Sequence, residues 1–242
     1  MTTIAVIGTK GAPGATTLAL ALAVTAPGSV PALLVEADPA GGDIALRCGI
    51  ALDPGLLTLA ASGRRGLDRS IIDRHAQLLP CGAHVLPAPT SADQATSALT
   101  GVAAALGPAL ARESSPIIID AGRWESRSPA ADLVASASIA LLVLRPTIEG
   151  VEHARSQVSS VSDRVPGVIA VCIGERPYPH AEVRSALDVD DLSVIDDDPR
   201  AASALGMGLR PDRWLRRSPL MRSATALADR LLGEREEAGV PR

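Results

Sequence analysis

Short apolar runs recur along the chain, and segments in which apolar residues repeat with helical spacing lie between them. The apolar runs predict strands at residues 4–7, 32–36, 84–87, 116–120, 139–144, 168–173 and 192–195. The intervening segments predict helices at residues 15–24, 55–61, 67–79, 92–112, 149–161, 199–205 and 218–232.

This alternation of strands and helices is typical of βαβ units, which build a mostly parallel sheet with helices on both faces. We therefore expect a doubly wound α/β fold with about seven or eight strands, in which ligands bind at the carboxyl ends of the strands. No fixed-period repeat or low-complexity linker interrupts the pattern. One domain is predicted over residues 1–242, with residues 233–242 as a frayed tail.

The amino-acid composition indicates which residues build the core, which partners the charge favours and in which compartment the protein is expected. The 242 residues include no Phe, one Tyr and two Trp, so the core has to be built from Ala, Val, Leu and Ile. A net charge of −4 gives no general attraction to nucleic acid or anionic membranes. Cys48, Cys81 and Cys172 are widely spaced and are expected to be buried thiols of a reducing compartment. No basic segment precedes the first apolar run and no run of about 20 apolar residues occurs, so we expect a cytoplasmic protein without a membrane span.

A glycine-rich turn, GTKGAPGATT at residues 8–17, separates the first predicted strand from the first predicted helix. In such a turn the backbone N–H groups converge on a phosphate, and the helix N-terminus adds partial positive charge. The standard phosphate-binding loop ends in Gly-Lys-Ser/Thr, whereas here Ala15 follows Gly14. Lys10 is the single lysine of the chain, and a lysine ammonium binds phosphate as a point charge. The turn therefore predicts a phosphate site.

Two carboxylates are expected at the same edge of the sheet, because Asp38 follows the second predicted strand and Asp120 ends the fourth. Together with the turn, they resemble the MinD/ParA group of P-loop ATPases, which carry a deviant Walker A motif, over nearly the whole chain. The resemblance implies a P-loop fold that binds ATP and Mg²⁺.

The resemblance also implies a role for each matching residue. Lys10 matches the signature lysine that reaches the partner's phosphates in a nucleotide-linked homodimer. Thr16 matches the hydroxyl that ligates Mg²⁺, and Asp120 matches the carboxylate near Mg²⁺. Thr17 matches the hydroxyl near the α-phosphate, and Asp38 matches the acid that positions the attacking water.

The phosphate-binding turn departs from the family pattern in its charge. Gly11 and Gly14 keep the glycines of the cradle, but Ala15 replaces the lysine that contacts the β- and γ-phosphates. Loss of a desolvated charged donor costs about 1.5–3 kcal/mol, or about ten- to a hundredfold in affinity. We therefore expect ATP and Mg²⁺ to bind weakly and hydrolysis to be weak or absent. An arginine such as Arg123 or Arg145 is a candidate substitute.

The family resemblance implies a positioning or partitioning factor, or an assembly factor for pili or secretion, acting as a dimer. Residues 33–46 and 84–89 look more like the CpaE/TadZ branch, which is associated with pilus and secretion machinery. Relatives that act in septum placement or chromosome partition remain alternatives. Residues 197–202 look like the family's nucleotide-base side. The alternative is a pseudo-ATPase scaffold that binds no nucleotide and acts through protein partners. Gly8, Gly11 and Gly14 with Glu36 also permit a dinucleotide-binding fold, although the first two glycines have the wrong spacing and the acid comes late.

Three further features of the sequence each have two interpretations. The basic cluster around Trp214 is either a nonspecific DNA-binding surface, as in ParA-like proteins, or a solvated face. The last predicted helix is either a MinD-type membrane anchor or a core-packing helix, and the acidic residues after it favour the core. Trp124 is either a partner contact or a lid over the site. The basic cluster consists of Arg210, Arg213, Arg216, Arg217 and Arg222.

Overall fold

A computed structural model describes residues 2–11, 14–63, 66–112 and 115–233. Its strands are β1 (Thr3–Gly8), β2 (Leu33–Glu36), β3 (Gln77–Leu78), β4 (His84–Leu86), β5 (Ile117–Arg123), β6 (Ile139–Leu144), β7 (Gly167–Ile173) and β8 (Leu192–Ile195). They form one eight-stranded sheet in the order β3-β4-β2-β5-β1-β6-β7-β8. All pairings of these strands are parallel except that of β3 with β4. The predicted α/β fold with a mostly parallel sheet is therefore confirmed.

Helices cover both faces of this sheet. One layer, here called the α1 face, contains α1 (Ala15–Thr25), α2 (Ile44–Cys48), α9 (Pro199–Gly206), α10 (Arg213–Arg216) and α11 (Pro219–Leu232). The opposite layer, the α5 face, contains α3 (Leu56–Ser62), α4 (Arg69–His75), α5 (Ala92–Leu110), α6 (Ala131–Ala135), α7 (Ile148–Ser162) and α8 (His180–Leu187).

The central strand β1 shows why the strands read as continuous apolar runs. Ile4 and Val6 pack into the core of the α1 face, whereas Ala5 and Ile7 pack into the core of the α5 face. All four side chains are completely buried. A strand of a parallel sheet that is covered on both sides has no polar face, so the pattern of alternating polar residues is missing.

Helix α11 is a core helix. Its residues Leu220, Ala224 and Leu227 are buried in the α1 face, and the helix packs against α1. The core-packing interpretation of this segment is therefore confirmed. Within the described ranges, no helix is both long enough and apolar enough to cross a membrane.

The sequence-based prediction missed five short elements, namely β3, α2, α6, α8 and α10. A helix of about one or two turns has too few residues for the apolar period to be recognised. The helix predicted at 67–79 is wrong beyond α4, because Ala76 is extended and leads into β3. Residues 234–242 lie outside the described residues, so the frayed tail stays a prediction.

The three cysteines are free and buried, as the sequence predicts. Burial raises the pKa of the Cys172 thiol to about 11 and likewise that of Cys48 to about 11. Both are therefore neutral, inert side chains that fill space in the core.

Truncation of one central isoleucine tests this two-layer core. Ile119 of β5 is completely buried, and we expect Ile119→Ala to lower the free energy of unfolding by about 2–5 kcal/mol, because it leaves a cavity. Ile148→Ala is the matched control, since that side chain is 67% exposed and its truncation should stay within about 0.5 kcal/mol. Denaturant unfolding measures both, and equal losses would contradict the assignment of Ile119 to the core.

Candidate nucleotide site

The turn between β1 and α1 leaves the N-terminus of a helix open. Gly11 and Gly14 have φ angles of +71° and +123°, in the left-handed region that glycine adopts without strain. Among the described residues, no side chain caps α1 at Gly14. Because the first N–H groups of a helix have no intrahelical acceptor, this end favours an anion. Ala12 and Pro13 lie outside the described residues.

The side chains of the turn occupy different surroundings. Lys10 is exposed at the front of the turn, and Ala15 is buried at the start of α1. Thr9 is also buried, and its hydroxyl has no hydrogen-bond partner among the described residues. The described part of the turn thus contributes a charge only through Lys10.

Thr16 and Asp120, the predicted Mg²⁺ ligands, are in direct contact. The Thr16 side chain lies close enough to the Asp120 carboxylate to favour its charged form, and the Gly122 N–H donates a hydrogen bond to the same carboxylate at 3.3 Å. Burial raises the pKa of Asp120 to about 7, and the nearby charges of Glu36 and Asp38 act in the same direction. A hydroxyl and a carboxylate are oxygen ligands of the kind that Mg²⁺ prefers, and a cation beside Asp120 would favour its charged form.

Glu36 has a structural role that was not predicted from the sequence. Its carboxylate accepts hydrogen bonds from the N–H groups of Asp43, Ile44 and Ala88, at 2.8, 2.9 and 2.9 Å. Burial raises the pKa of Glu36, although these three donors favour its charged form. The carboxylate therefore holds the loop after β2 against the end of β4.

The dinucleotide-binding alternative does not fit this arrangement. In that fold β1 and β2 are neighbours in the sheet, whereas here β5 lies between them. Glu36, the candidate ribose ligand, is already bound by three backbone donors.

Asp38 lies against Gly122 of β5. Burial raises the pKa of this half-buried carboxylate, which accepts a hydrogen bond from the Ala40 N–H at 2.8 Å. Gly122 has a φ of +63°, and a Cβ at this position would overlap the Asp38 carboxylate. Gly122 thus makes room for Asp38. The sequence offered a signal for this role, a glycine two residues after the carboxylate that ends a buried strand.

A cavity of about 310 Å³ adjoins the turn. Gly14 and Thr17 line one side of it, and Arg145, after β6, lines another. The segment predicted as the nucleotide-base side contributes Asp197 and Pro199. The structure therefore brings the turn and residues 197–202 together around one space.

Arg123 and Trp124, two residues that the sequence placed near the site, lie outside the cavity. Arg123 is exposed at the end of β5 and is not among the described residues that line the cavity. Trp124 is 4% exposed, and its Nε1 donates a hydrogen bond to the Ser160 hydroxyl at 2.8 Å. Both interpretations of Trp124, as a lid and as a partner contact, are therefore wrong.

The five arginines of the basic cluster are all exposed. Arg213 and Arg217 border an open cavity of about 650 Å³, which Asp198 and Asp212 also line. In the same region the Arg200 guanidinium lies 4.3 Å from the centroid of the Trp214 ring. The two carboxylates offset part of the positive charge of this surface.

The described residues fit a nucleotide with Mg²⁺ in three respects and differ from the standard site in one. They offer an open helix N-terminus, a hydroxyl close to a carboxylate, and a cavity that adjoins the turn. They lack the lysine at the start of the helix, where Ala15 stands. The phosphates of such a ligand would bind to N–H groups and to charges supplied from elsewhere.

Comparisons with known proteins agree with this arrangement at the level of fold. No protein-family model and no curated protein matches the chain. A ParA family ATPase from Chlorobium tepidum TLS has a similar structure, with a TM-score of 0.76 and 15% sequence identity over 94% of this chain and 97% of that one.

Two MinD structures are also similar. The septum site-determining protein MinD with Mg-ADP, from Pyrococcus horikoshii OT3, has a TM-score of 0.73 and 19% identity over 95% of each chain. The MinC:MinD cell division protein complex from Aquifex aeolicus has a TM-score of 0.61 and 19% identity over 100% of this chain and 98% of that one. The chain has the P-loop fold of the ParA and MinD ATPases.

Proposed function

We propose that the protein is a MinD/ParA-like factor that binds ATP with Mg²⁺, acts as a nucleotide-linked homodimer, and hydrolyses ATP weakly or not at all. The observation that carries the proposal is the contact of the Thr16 side chain with Asp120 beside an open glycine turn. The fold and the Mg-ADP bound to a MinD of the same fold support it. Residues 1–242 would form one cytoplasmic domain.

Each residue of the site has a physical role in this proposal. Gly11 and Gly14 let the backbone N–H groups face the phosphates. Thr16 and Asp120 would hold Mg²⁺, and Thr17 would contact the α-phosphate. Mg²⁺, when bound, supplies positive charge to the phosphates.

Asp38 and Lys10 would complete the site. The half-buried Asp38 carboxylate, fixed by Gly122 and the Ala40 N–H, would orient the attacking water. Lys10 is exposed, as a side chain that crosses to the phosphates of a second copy has to be.

The cellular task is proposed from similarity of fold and from local sequence. A MinD with this fold forms a complex with MinC, which supports a protein partner in a division, partition, pilus or secretion machinery. The CpaE/TadZ-like segments at residues 33–46 and 84–89 favour pilus or secretion machinery. Nonspecific DNA binding is a further proposal for the exposed basic cluster. We expect the protein to be retained on DNA at low salt, and charge reversal of Arg213, Arg216 and Arg217 to abolish this retention.

The second candidate function is a pseudo-ATPase scaffold that binds no nucleotide. One observation favours it, the buried Ala15 in place of the lysine that contacts the phosphates. The two candidates differ in whether nucleotide stabilises the folded protein.

A thermal shift experiment separates the two candidates. A ligand at about 100 times its Kd stabilises the folded state by about 2.7 kcal/mol, which raises the Tm of a protein of this size by about 5–10 °C. We expect millimolar ATP to produce such a rise with Mg²⁺. Thr16→Val should remove the Mg²⁺-dependent part, because it deletes the hydroxyl. Thr100→Val, on the exposed side of α5, is the control that should respond like the wild type. Absence of any shift with ATP or ADP would favour the scaffold.

Restoring the lysine tests the explanation of weak hydrolysis. We expect phosphate release by the wild type to lie near background and Ala15→Lys to raise it at least about tenfold, because the new cation stabilises charge in the transition state. A phosphate-release assay at saturating ATP measures the difference. Unchanged turnover in the variant, together with fast turnover in the wild type, would show that Ala15 does not limit hydrolysis.

A substitution next to Asp38 tests the role of that carboxylate. In the Ala15→Lys background, Gly122→Ala should lower turnover at least about tenfold and change ATP affinity by less than about threefold, because it displaces the acid that orients water. Gly49→Ala is the matched control, since Gly49 has nearly the same φ, +66°, but open space around its Cα. Both changes should cost about 1–3 kcal/mol of stability from backbone strain. Equal turnover in the two variants would remove Asp38 from the mechanism.

A further inference from the structure

The phosphate-binding turn lacks a cation at the position where the standard loop has one. Ala15 is buried at the start of α1, and Lys10 is exposed at the opposite end of the turn. A di- or triphosphate carries several negative charges, and buried phosphate oxygens need charged or hydrogen-bonding partners. A substitute cation has to be sought among the residues that face the same space.

Arg145 faces that space. It follows Leu144, the last residue of β6, and lines the cavity of about 310 Å³ together with Gly14 and Thr17. Among the described residues that line this cavity, Arg145 is the basic one. A guanidinium binds phosphate through two parallel hydrogen bonds and keeps its charge at any physiological pH.

The Arg145 guanidinium is engaged by a carboxylate of the same cavity. Its Nη1 donates to Asp197 Oδ2 at 2.9 Å, and the two side chains are 37% and 41% exposed. A half-exposed ion pair of this kind adds little stability, so exchange of its carboxylate for a phosphate costs little free energy.

The neighbouring carboxylates have different surroundings. Asp198 accepts a hydrogen bond from the Ala201 N–H at 3.0 Å and caps α9. Asp196, which also lines the cavity, is exposed. Asp197 is therefore the carboxylate that competes with a phosphate for Arg145.

We infer that Arg145 is the phosphate-binding cation of this site and that Asp197 is its internal competitor, which holds the guanidinium until a polyphosphate displaces it. The inference rests on the proposed nucleotide binding and adds the residue that replaces the missing lysine. It also sets a specificity: nucleoside di- and triphosphates, which offer more charge than Asp197, displace it, whereas an uncharged nucleoside leaves the ion pair intact.

Calorimetric titration of the purified protein with Mg²⁺-ADP, a non-hydrolysable ATP analogue and adenosine tests the inference. We expect Arg145→Ala to weaken binding of both phosphorylated ligands about ten- to a hundredfold and to leave adenosine binding unchanged. Asp197→Asn should tighten binding of the phosphorylated ligands about threefold to tenfold, because it removes the competitor.

The Arg230–Asp191 pair supplies a matched control. Its atoms Nη1 and Oδ2 lie 2.6 Å apart, and its side chains are 41% and 39% exposed, but it joins α11 to the segment before β8. Arg230→Ala should cost about as much stability as Arg145→Ala and leave nucleotide binding unchanged. An equal loss of nucleotide affinity in the two variants would overturn the inference.

A double-mutant cycle with position 15 distinguishes substitution for the lysine from a general charge effect. In the Ala15→Lys background the new lysine contacts the phosphates. The fold loss of affinity caused by Arg145→Ala should therefore be less than about one-third of the fold loss that it causes in the wild type. Identical factors in the two backgrounds would mean that Arg145 does not replace the lysine.

The remaining outcomes separate this inference from the proposed function. Wild-type binding that Arg145→Ala leaves unchanged would overturn the inference and keep the nucleotide site. Binding by Ala15→Lys but not by the wild type would overturn both the inference and the proposed binding of ATP by the wild-type protein. No binding by either protein would overturn both.

Discussion

The parallel pairing of β5 between β1 and β2 is the constraint on which the candidate site depends. Its register places Asp120 level with Val6 of β1 and with Glu36 of β2. Asp120, in the middle of β5, therefore lies beside the turn after β1, close to the Thr16 side chain. A shift of the register by one residue would turn Asp120 to the opposite face of the sheet and leave Thr16 without this partner. The apolar side chains of β5 that fit both cores hold this register, so packing and chemistry are specified by the same residues.

The sequence was sufficient to predict the elements that carry the site, for a physical reason. Strands buried on both faces are continuous apolar runs, and the carboxyl ends of parallel strands meet at one edge, so Asp38 and Asp120 could be placed together before their distance was known. The glycine after Asp120 was a signal in the sequence, but its contact with Asp38 in particular and the pairing of Arg145 with Asp197 could not be predicted. Both join residues far apart in the chain, and both depend on how individual strands end, including the irregularity in the β1–β5 pairing between Val6 and Gly8.

The electrostatics of the site explain why its nucleotide chemistry should depend on added cations. Burial raises the pKa of Asp120, the nearby charges of Glu36 and Asp38 raise it further, and the cavity beside the turn is lined by more carboxylates. A polyanion in this setting is repelled unless cations accompany it. In the proposed mechanism they come from Mg²⁺, from Arg145 and from Lys10 of a second copy, so charge balance is complete only in the assembled dimer. A monomer and a dimer of the same chain would then differ in affinity without any change of fold.

The bonds around the loop after β2 have a mechanical consequence. The Ala37 N–H donates to the Asp120 carbonyl at 2.7 Å, the Gly42 N–H donates to the Pro89 carbonyl at 2.9 Å, and Glu36 holds the start of α2. The start of the loop is thus bonded to β5 and its end to the segment after β4, so residues 38–41 form a short loop that is fixed at both ends. The same bonds therefore fix the position of the Asp38 backbone and that of α2, on which the Leu46 side chain is 66% exposed. The exposed outer surface of α2 is thus fixed to the same strands that position the carboxylate inside the site.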